Sequence, residues 1–199
     1  QLATGTLMIR IHGDLHLGQV LIAQGDVHFI DFEGEPVRSL EERRALSFPW
    51  RDLAGLLRSF DYAVAAFDSQ PGAGTGSSTA VAAEVEALAI PDTPGLAESR
   101  HDLVTRFCVA ATQALMESYR AEVEVWELAN GHGASLLPDD PIARRSLLDL
   151  ALLEKAAYEI CYEAAHRPDW MAVPVRGLSR VAQRLLQPRE GGTDSGEET

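Results

Sequence analysis

The chain is predicted to be α+β and mainly helical, with one small β-hairpin leading into a helical body. Three observations predict this. Two short β-prone runs, residues 20–23 (Val-Leu-Ile-Ala) and 27–30 (Val-His-Phe-Ile), flank the turn signal Gly25-Asp26. Beyond residue 50, apolar residues recur at helical rather than alternating spacing. Helix punctuation brackets those stretches: Pro91 and Pro94 interrupt one, and Asp140-Pro141 opens another with a capping side chain and a proline whose missing N–H costs nothing there.

The elements follow in order. Residues 7–11 (Leu-Met-Ile-Arg-Ile) read as a strand that enters a loop at His12-Gly13, and the hairpin strands come next. Residues 52–68 carry Leu53, Leu56, Leu57, Phe60, Val64 and Phe67 at helical spacing. Residues 69–78, with Pro71, Gly72, Gly74 and Gly76, read as a loop or linker. A short helix is expected over 80–90. Ser99 then opens a longer one with Leu103, Phe107, Ala111, Leu115 and Tyr119 on one face. A second loop spans 130–140. The helix opened by Asp140-Pro141 runs to about His166, with Leu147, Leu150, Leu153, Ala157, Ile160 and Ala164 as its apolar stripe. Residues 176–186 form a last short helix. Residues 188–199 are polar, acidic and glycine-rich, and read as a disordered tail. No internal repeat is visible. A length of 199 residues suits one domain, taken as 1–187 plus the tail.

Within this frame lies one concentrated set of chemistry-bearing residues. His12-Gly13-Asp14-Leu15-His16-Leu17-Gly18-Gln19 is followed by Ile30-Asp31-Phe32-Glu33-Gly34. An Asp, an amide five residues later and a second Asp twelve residues beyond it are separated by β-prone runs, so a short hairpin brings them to one end. Carboxylates held that close repel, and a divalent cation relieves the conflict. Phosphoryl transfer from a metal–nucleotide needs such a set: one carboxylate to orient the acceptor hydroxyl and take its proton, and an amide oxygen and a carboxylate to hold Mg²⁺ against the phosphates. The spacing matches the kinase pattern H-x-D-x-x-x-x-N followed by D-F-G, with Gln for Asn and Glu for the last Gly. Asp14 is therefore the candidate base, and Gln19 and Asp31 are the candidate metal ligands.

His12-Gly13-Asp14-Leu15-His16 resembles the catalytic loop of the aminoglycoside phosphotransferase-like kinases. The continuation through Gln19-Val20-Leu21 and Asp31-Phe32-Glu33-Gly34-Glu35-Pro36 resembles maltokinase, a family that includes kinase domains fused to trehalose synthase. Residues 51–62 (Arg-Asp-Leu-Ala-Gly-Leu-Leu-Arg-Ser-Phe-Asp-Tyr), Glu154-Lys155-Ala156-Ala157-Tyr158-Glu159 and Arg167-Pro168-Asp169-Trp170 extend the likeness over about residues 9–186. The resemblance implies a protein-kinase-like C-terminal lobe, with catalytic loop and metal site over 9–36 and an acceptor-binding body over 50–187. It implies ATP and Mg²⁺ as cofactors, and maltose as the acceptor, phosphorylated at its anomeric hydroxyl. Such kinases also need a strand lysine and a phosphate-covering loop ahead of the catalytic loop. Lys155 is the chain's single lysine and lies far downstream, and no Gly-rich loop precedes Asp14. The N-terminal nucleotide-binding lobe is therefore expected to be absent from this stretch, and the stretch alone to be inactive.

Other residues have competing readings. Asp14 and Asp31 also suit turns. Glu33 either approaches the metal or pairs with an arginine. His12, Asp14 and His16 lack the convergent third and fourth ligands of a zinc site, so both histidines read as loop support. Asp52 is either a helix N-terminal acid or a brace for the catalytic-loop backbone. Lys155, Tyr158 and Tyr162 fall at i, i+3 and i+7 on one helix face, which suits either a half-exposed surface or a sugar, with rings to stack on the pyranose and a cation for its hydroxyls. Glu163 and Trp170 are weaker candidates at that end, and Trp50 beside Arg51 reads as packing. The net charge of −13 argues against nucleic acid as partner. No apolar run reaches membrane-span length. Cys108 and Cys161 lack metal-ligand spacing and read as reduced thiols of a cytoplasmic protein. Other kinases that share the H-G-D-x-H loop, acting on aminoglycosides, choline or homoserine, are the alternative, as is a non-catalytic remnant or interaction module.

Overall fold

The computed structural model describes residues 6–68, 94–130 and 135–187. The hairpin pairs β1 (Val20–Ala23) with β2 (Asp26–Phe29), antiparallel, in the register Val20 to Phe29 and Ala23 to Asp26. Its turn holds Gln24 and Gly25, both left-handed with φ of 56° and 88°. That is the two-residue geometry whose twist matches the flanking strands. Both faces of this hairpin are exposed, and a lone two-stranded ribbon is marginal in water. Two bonds tie down its open end: Ile30 N donates to the Gln19 carbonyl at 3.0 Å, and the Ile30 carbonyl meets His12 Nε2 at 2.8 Å.

Residues 7–11 do not form the expected strand. Within them only Ile9 makes an isolated bridge, antiparallel to Ser47, and the preceding Thr6 makes one parallel to Ser135. The segment is threaded between two loops, and neither continues alongside it as a strand would. A short helix not anticipated, α1 (Leu40–Arg44), is held by a reciprocal capping box between Ser39 and Glu42.

The body is built on α2 (Trp50–Asp68), which packs against α3 (Pro94–Asn130), α4 (Pro141–His166) and α5 (Ala172–Leu186). Asp140 caps α4 by accepting from Ile142 N and Ala143 N. The one-turn 3₁₀ segment Pro168–Trp170 redirects the chain into α5. The core gathers Trp50, Leu53 and Ala54 of α2, Val123 of α3, Leu137, and Ala151 of α4, with Leu115, Met116, Tyr119 and Leu147 against it.

Two expected stripes are corrected. On α3, Leu103 and Phe107 are exposed, and the inward positions are Cys108, Leu115, Met116, Tyr119 and Val123. Residues spaced by four drift about 40° per step, so a run from Leu103 to Tyr119 passes from one face to nearly the opposite one. On α4, Leu150, Ala157 and Ala164 are exposed, and the buried positions are Ala143, Asp149, Ala151, Ala156, Glu159 and Glu163. Half of that face is charged, which an apolar pattern cannot register. The loop expected over 69–78, the helix over 80–90 and the tail after 188 lie outside the described residues. Among the described residues, no helix is long and apolar enough to cross a membrane.

Candidate active site

One face of α2 is given over to the loop that carries Asp14. Near the helix start, the Asp52 carboxylate accepts from His12 N at 2.6 Å and from Gly13 N at 2.8 Å. One turn on, a side chain at Gly55 would collide with the Leu15 carbonyl, so glycine is what lets loop and helix touch. Another turn on, Ser59 Oγ accepts from Leu17 N at 3.1 Å and donates to the Leu56 carbonyl at 2.6 Å. Positions 52, 55 and 59 share one helix face, and the loop lies along it. Gly13 itself sits at a φ of 87°, open to glycine without steric cost.

The histidines of the loop are committed to its shape. Buried His12 joins Ile30 through Nε2 and receives Asp14 N at Nδ1, at 3.4 Å, with its ring 4.8 Å from that of Phe32. A neutral ring protonated at Nε2 satisfies both bonds. His16 caps the 3₁₀ turn Leu17–Gln19 by accepting from Gly18 N at 3.0 Å. Burial lowers the His16 pKa below the ordinary histidine value, against the pull of Asp14.

Gln19 and Asp31 meet at the open end of the hairpin, where Gln19 Nε2 donates to Asp31 Oδ2 at 3.0 Å. Asp31 holds a left-handed φ of 62°, which Asp tolerates better than most residues. Both Asp14 and Asp31 act electrostatically on the His16 ring. Glu33 is exposed and offers its backbone carbonyl, not its carboxylate, to Arg43 at 3.2 Å. No group of three or more His, Cys, Asp or Glu among the described residues is arranged to hold a metal by itself.

Asp14 opens onto a groove of about 580 Å³ between the loop, α2 and α4. Lys155 joins loop to groove: its Nζ donates to Asp14 Oδ1 at 3.3 Å and to Glu35 Oε1 at 2.8 Å, and lies 5.0 Å from the Tyr158 ring centre. Burial works against the Lys155 charge, but Glu35 and Asp14 outweigh it and hold its pKa above the usual lysine value. Tyr158 and Tyr162 stack at 6.4 Å, and Tyr162 stacks on His166 at 4.5 Å. Arg167 lies over the Tyr162 and Trp170 rings at 5.5 and 5.6 Å. Fully buried Glu163 fixes it, accepting from Arg167 Nε and Nη2 at 2.9 and 2.6 Å and from the Tyr62 hydroxyl at 3.0 Å. Trp50 is core, and Arg51 pairs with Glu154 at 2.8 Å.

The sequence reading missed Glu35, Tyr62 and Arg167. Each falls inside a stretch that carries the family resemblance, and that was the only signal available for them. Lys155 was expected at the acceptor face with the tyrosines; it also reaches the catalytic loop, donating to Asp14.

No protein-family model matches the chain. A glucosamine kinase of Streptacidiphilus jiangxiensis is 26% identical over 183 residues, covering 92% of this chain and 34% of that protein. Among solved structures, a glucosamine kinase in complex with glucosamine, ADP and inorganic phosphate superimposes with a TM-score of 0.61 at 24% identity, covering 89% of this chain and 36% of that one. A second crystal form gives 0.60 at 23%, over 89% and 35%. The chain thus spans about a third of the length of the relatives it matches. Those relatives are sugar kinases at modest identity, and the mostly helical fold with its two-stranded hairpin is kinase-like over part of a kinase's length.

Proposed function

We propose that this chain is the acceptor-side portion of an ATP-dependent sugar kinase. The observation that carries the reading is Asp14. It stands at the mouth of a groove walled by tyrosines, on a loop that α2 pins at two points, with Gln19 and Asp31 joined one hairpin away. In this reading Asp14 orients the acceptor hydroxyl and takes its proton as the oxygen bonds to the γ-phosphorus and the bond from that phosphorus to the β-phosphate oxygen breaks, releasing ADP. Asp52 and His12 hold the loop that aims it. Mg²⁺ keeps several waters and phosphate oxygens and asks a protein for only one or two ligands, so an exposed Gln19–Asp31 pair fits it without a closed cage. When bound, the ion neutralises charge on the phosphates. The remaining nucleotide contacts come from parts of the protein outside this stretch.

Tyr158 and Tyr162 offer ring faces and Lys155 a cation to a polyhydroxy acceptor. Maltose follows from the maltokinase resemblance and glucosamine from the names of the relatives. We take an amino sugar as the first acceptor and maltose as the second. Free thiols at Cys108 and Cys161 and the use of ATP suit a cytoplasmic enzyme.

The test is sugar-dependent ADP release by the parent protein with glucosamine, glucose and maltose, repeated with Asp14→Asn. Turnover with at least one sugar is expected, falling about a hundred- to ten-thousand-fold in the variant, whose amide keeps the shape but cannot accept the proton. ADP release unaffected by every sugar would overturn the sugar-kinase reading. Undiminished turnover in the Asn variant would remove Asp14 from the chemistry.

A further inference from the structure

Lys155 does not sit symmetrically between its two carboxylates. Its ammonium is 2.8 Å from Glu35 and 3.3 Å from Asp14, and Glu35 is the more buried of the two acids. Glu35 is itself anchored: Arg38 Nε donates to its Oε2 at 2.7 Å, and Arg38 reaches Glu154 at 3.5 Å, which Arg51 also holds. The charges therefore alternate along one connected line of Arg38, Glu35, Lys155 and Asp14, with its fixed end at Glu35 and its free end in the groove.

We propose that Glu35, acting through Lys155, is a positioning residue for the Asp14 carboxylate. This rests on the sugar-kinase reading and adds to it. A lone ammonium beside a catalytic carboxylate is a poor arrangement. It forms a tight ion pair, takes a lone pair the acceptor hydroxyl needs, and makes the carboxylate a weaker base. Glu35 prevents that by drawing the ammonium to itself. Asp14 is left with a long, weak second contact that orients one oxygen and leaves the other for the acceptor proton. Of the other titratable groups nearby, His12 Nδ1 accepts from the Asp14 backbone N–H rather than facing its carboxylate, His16 feels the charges of both Asp14 and Asp31, and Tyr158 feels that of Asp14. Burial favours the neutral form of His16, so Lys155 is the close cation that has to be restrained.

The experiment compares wild type, Glu35→Gln, Lys155→Arg and Asp14→Asn in the parent protein. The readouts are kcat and KM for the sugar, the acid limb of the pH–rate profile, and the melting temperature. Glu35→Gln releases the ammonium onto Asp14. The expectation is a kcat loss of about tenfold or more with KM for the sugar within about twofold, and an acid limb moved down by about one pH unit. Lys155→Arg keeps a cation between both acids and is expected to lose less kcat than Glu35→Gln; a loss like that of Asp14→Asn would mean that the cation acts in the chemistry itself and would overturn the positioning role. A melting-temperature drop in Glu35→Gln with kcat and acid limb unmoved would assign Glu35 to structure alone and overturn the proposal. Should Glu35→Gln fail to fold, Lys155→Met in the same profile decides: the acid limb moves up if the ammonium acts on Asp14, and an unmoved limb refutes the proposal. Wild-type turnover in Asp14→Asn overturns the parent reading instead, so the two failures are distinguishable.

Discussion

Removing the Asp52 carboxylate isolates what pins the catalytic loop. Asp52 makes two charge-assisted hydrogen bonds to consecutive backbone N–H groups, at 2.6 and 2.8 Å. Bonds of this kind contribute about 1.5–3 kcal/mol each. In Asp52→Ala both donors lose their partner, and water reaches the partly exposed loop to offset some of the loss. The expected destabilisation is about 3 kcal/mol, a large share of the roughly 5–15 kcal/mol of a typical domain. The matching fall in melting temperature is about 6–12 °C for a domain of this size. Asp52→Asn retains one acceptor oxygen and turns an N–H toward the other donor, so it should lose at least half as much.

The catalytic consequence is separate from the thermal one. Displacing a reacting group by about 1 Å costs on the order of a hundredfold in rate. At a temperature where Asp52→Ala is still folded, kcat should therefore fall about a hundredfold, while KM for the sugar moves little because the groove's Tyr158 and Tyr162 lie on α4, which Asp52 does not hold. Urea denaturation followed by circular dichroism gives the first number, and steady-state ADP release gives the second. A stability change under about 0.5 kcal/mol with kcat within twofold of wild type would refute the reasoning, and Asp52 would be an ordinary acid at a helix start.

Gly55→Ala places a methyl against the Leu15 carbonyl, backbone meeting backbone with no flexible end to yield. The loop must lift from α2, so kcat should fall as in Asp52→Ala even though no charge is lost; normal kcat with a normal melting temperature would show that the loop has slack. The Glu35–Lys155 pair predicts a pH signature. Burial opposes the Glu35 charge, but Lys155 and Arg38 prevail and hold its pKa below the ordinary glutamate value. Its contribution to stability is therefore present above pH about 4.5 and is lost as pH falls through the lower, folded-state value. Melting curves between pH 3 and pH 6 should show a steeper acid loss in wild type than in Glu35→Gln, and parallel curves would count against the pair. Trp50→Ala empties a core site that is 2% exposed and should cost about 3–5 kcal/mol; a cost under about 1 kcal/mol would mean that the α2–α3–α4 core re-packs freely.

Local chemistry was sufficient for much of this protein. Gly25 and the β-prone runs on either side specify the hairpin, because a two-residue turn needs left-handed residues; the turn falls at Gln24-Gly25, one residue before the expected Gly25-Asp26, and Asp26 opens β2. Asp140-Pro141 specifies the start of α4 through a cap that depends on adjacent residues alone. The spacing of Asp14, Gln19 and Asp31 implies a shared end of that hairpin, and Gln19 does meet Asp31 there. The expected strand over residues 7–11 failed because a strand needs a neighbour, which is a tertiary matter. The α4 stripe failed because its inner face buries Glu159 and Glu163 against Arg58, Tyr62 and Arg167, and charge that is matched across elements looks exposed when read along one chain. Lys155, 141 residues from Asp14, reaches it because α4 packs alongside α2 and the catalytic loop, where Glu35 anchors the ammonium. Residue types and short spacings are properties of the chain; which distant charges meet, and which of two carboxylates keeps the cation, is decided by how α2 and α4 pack.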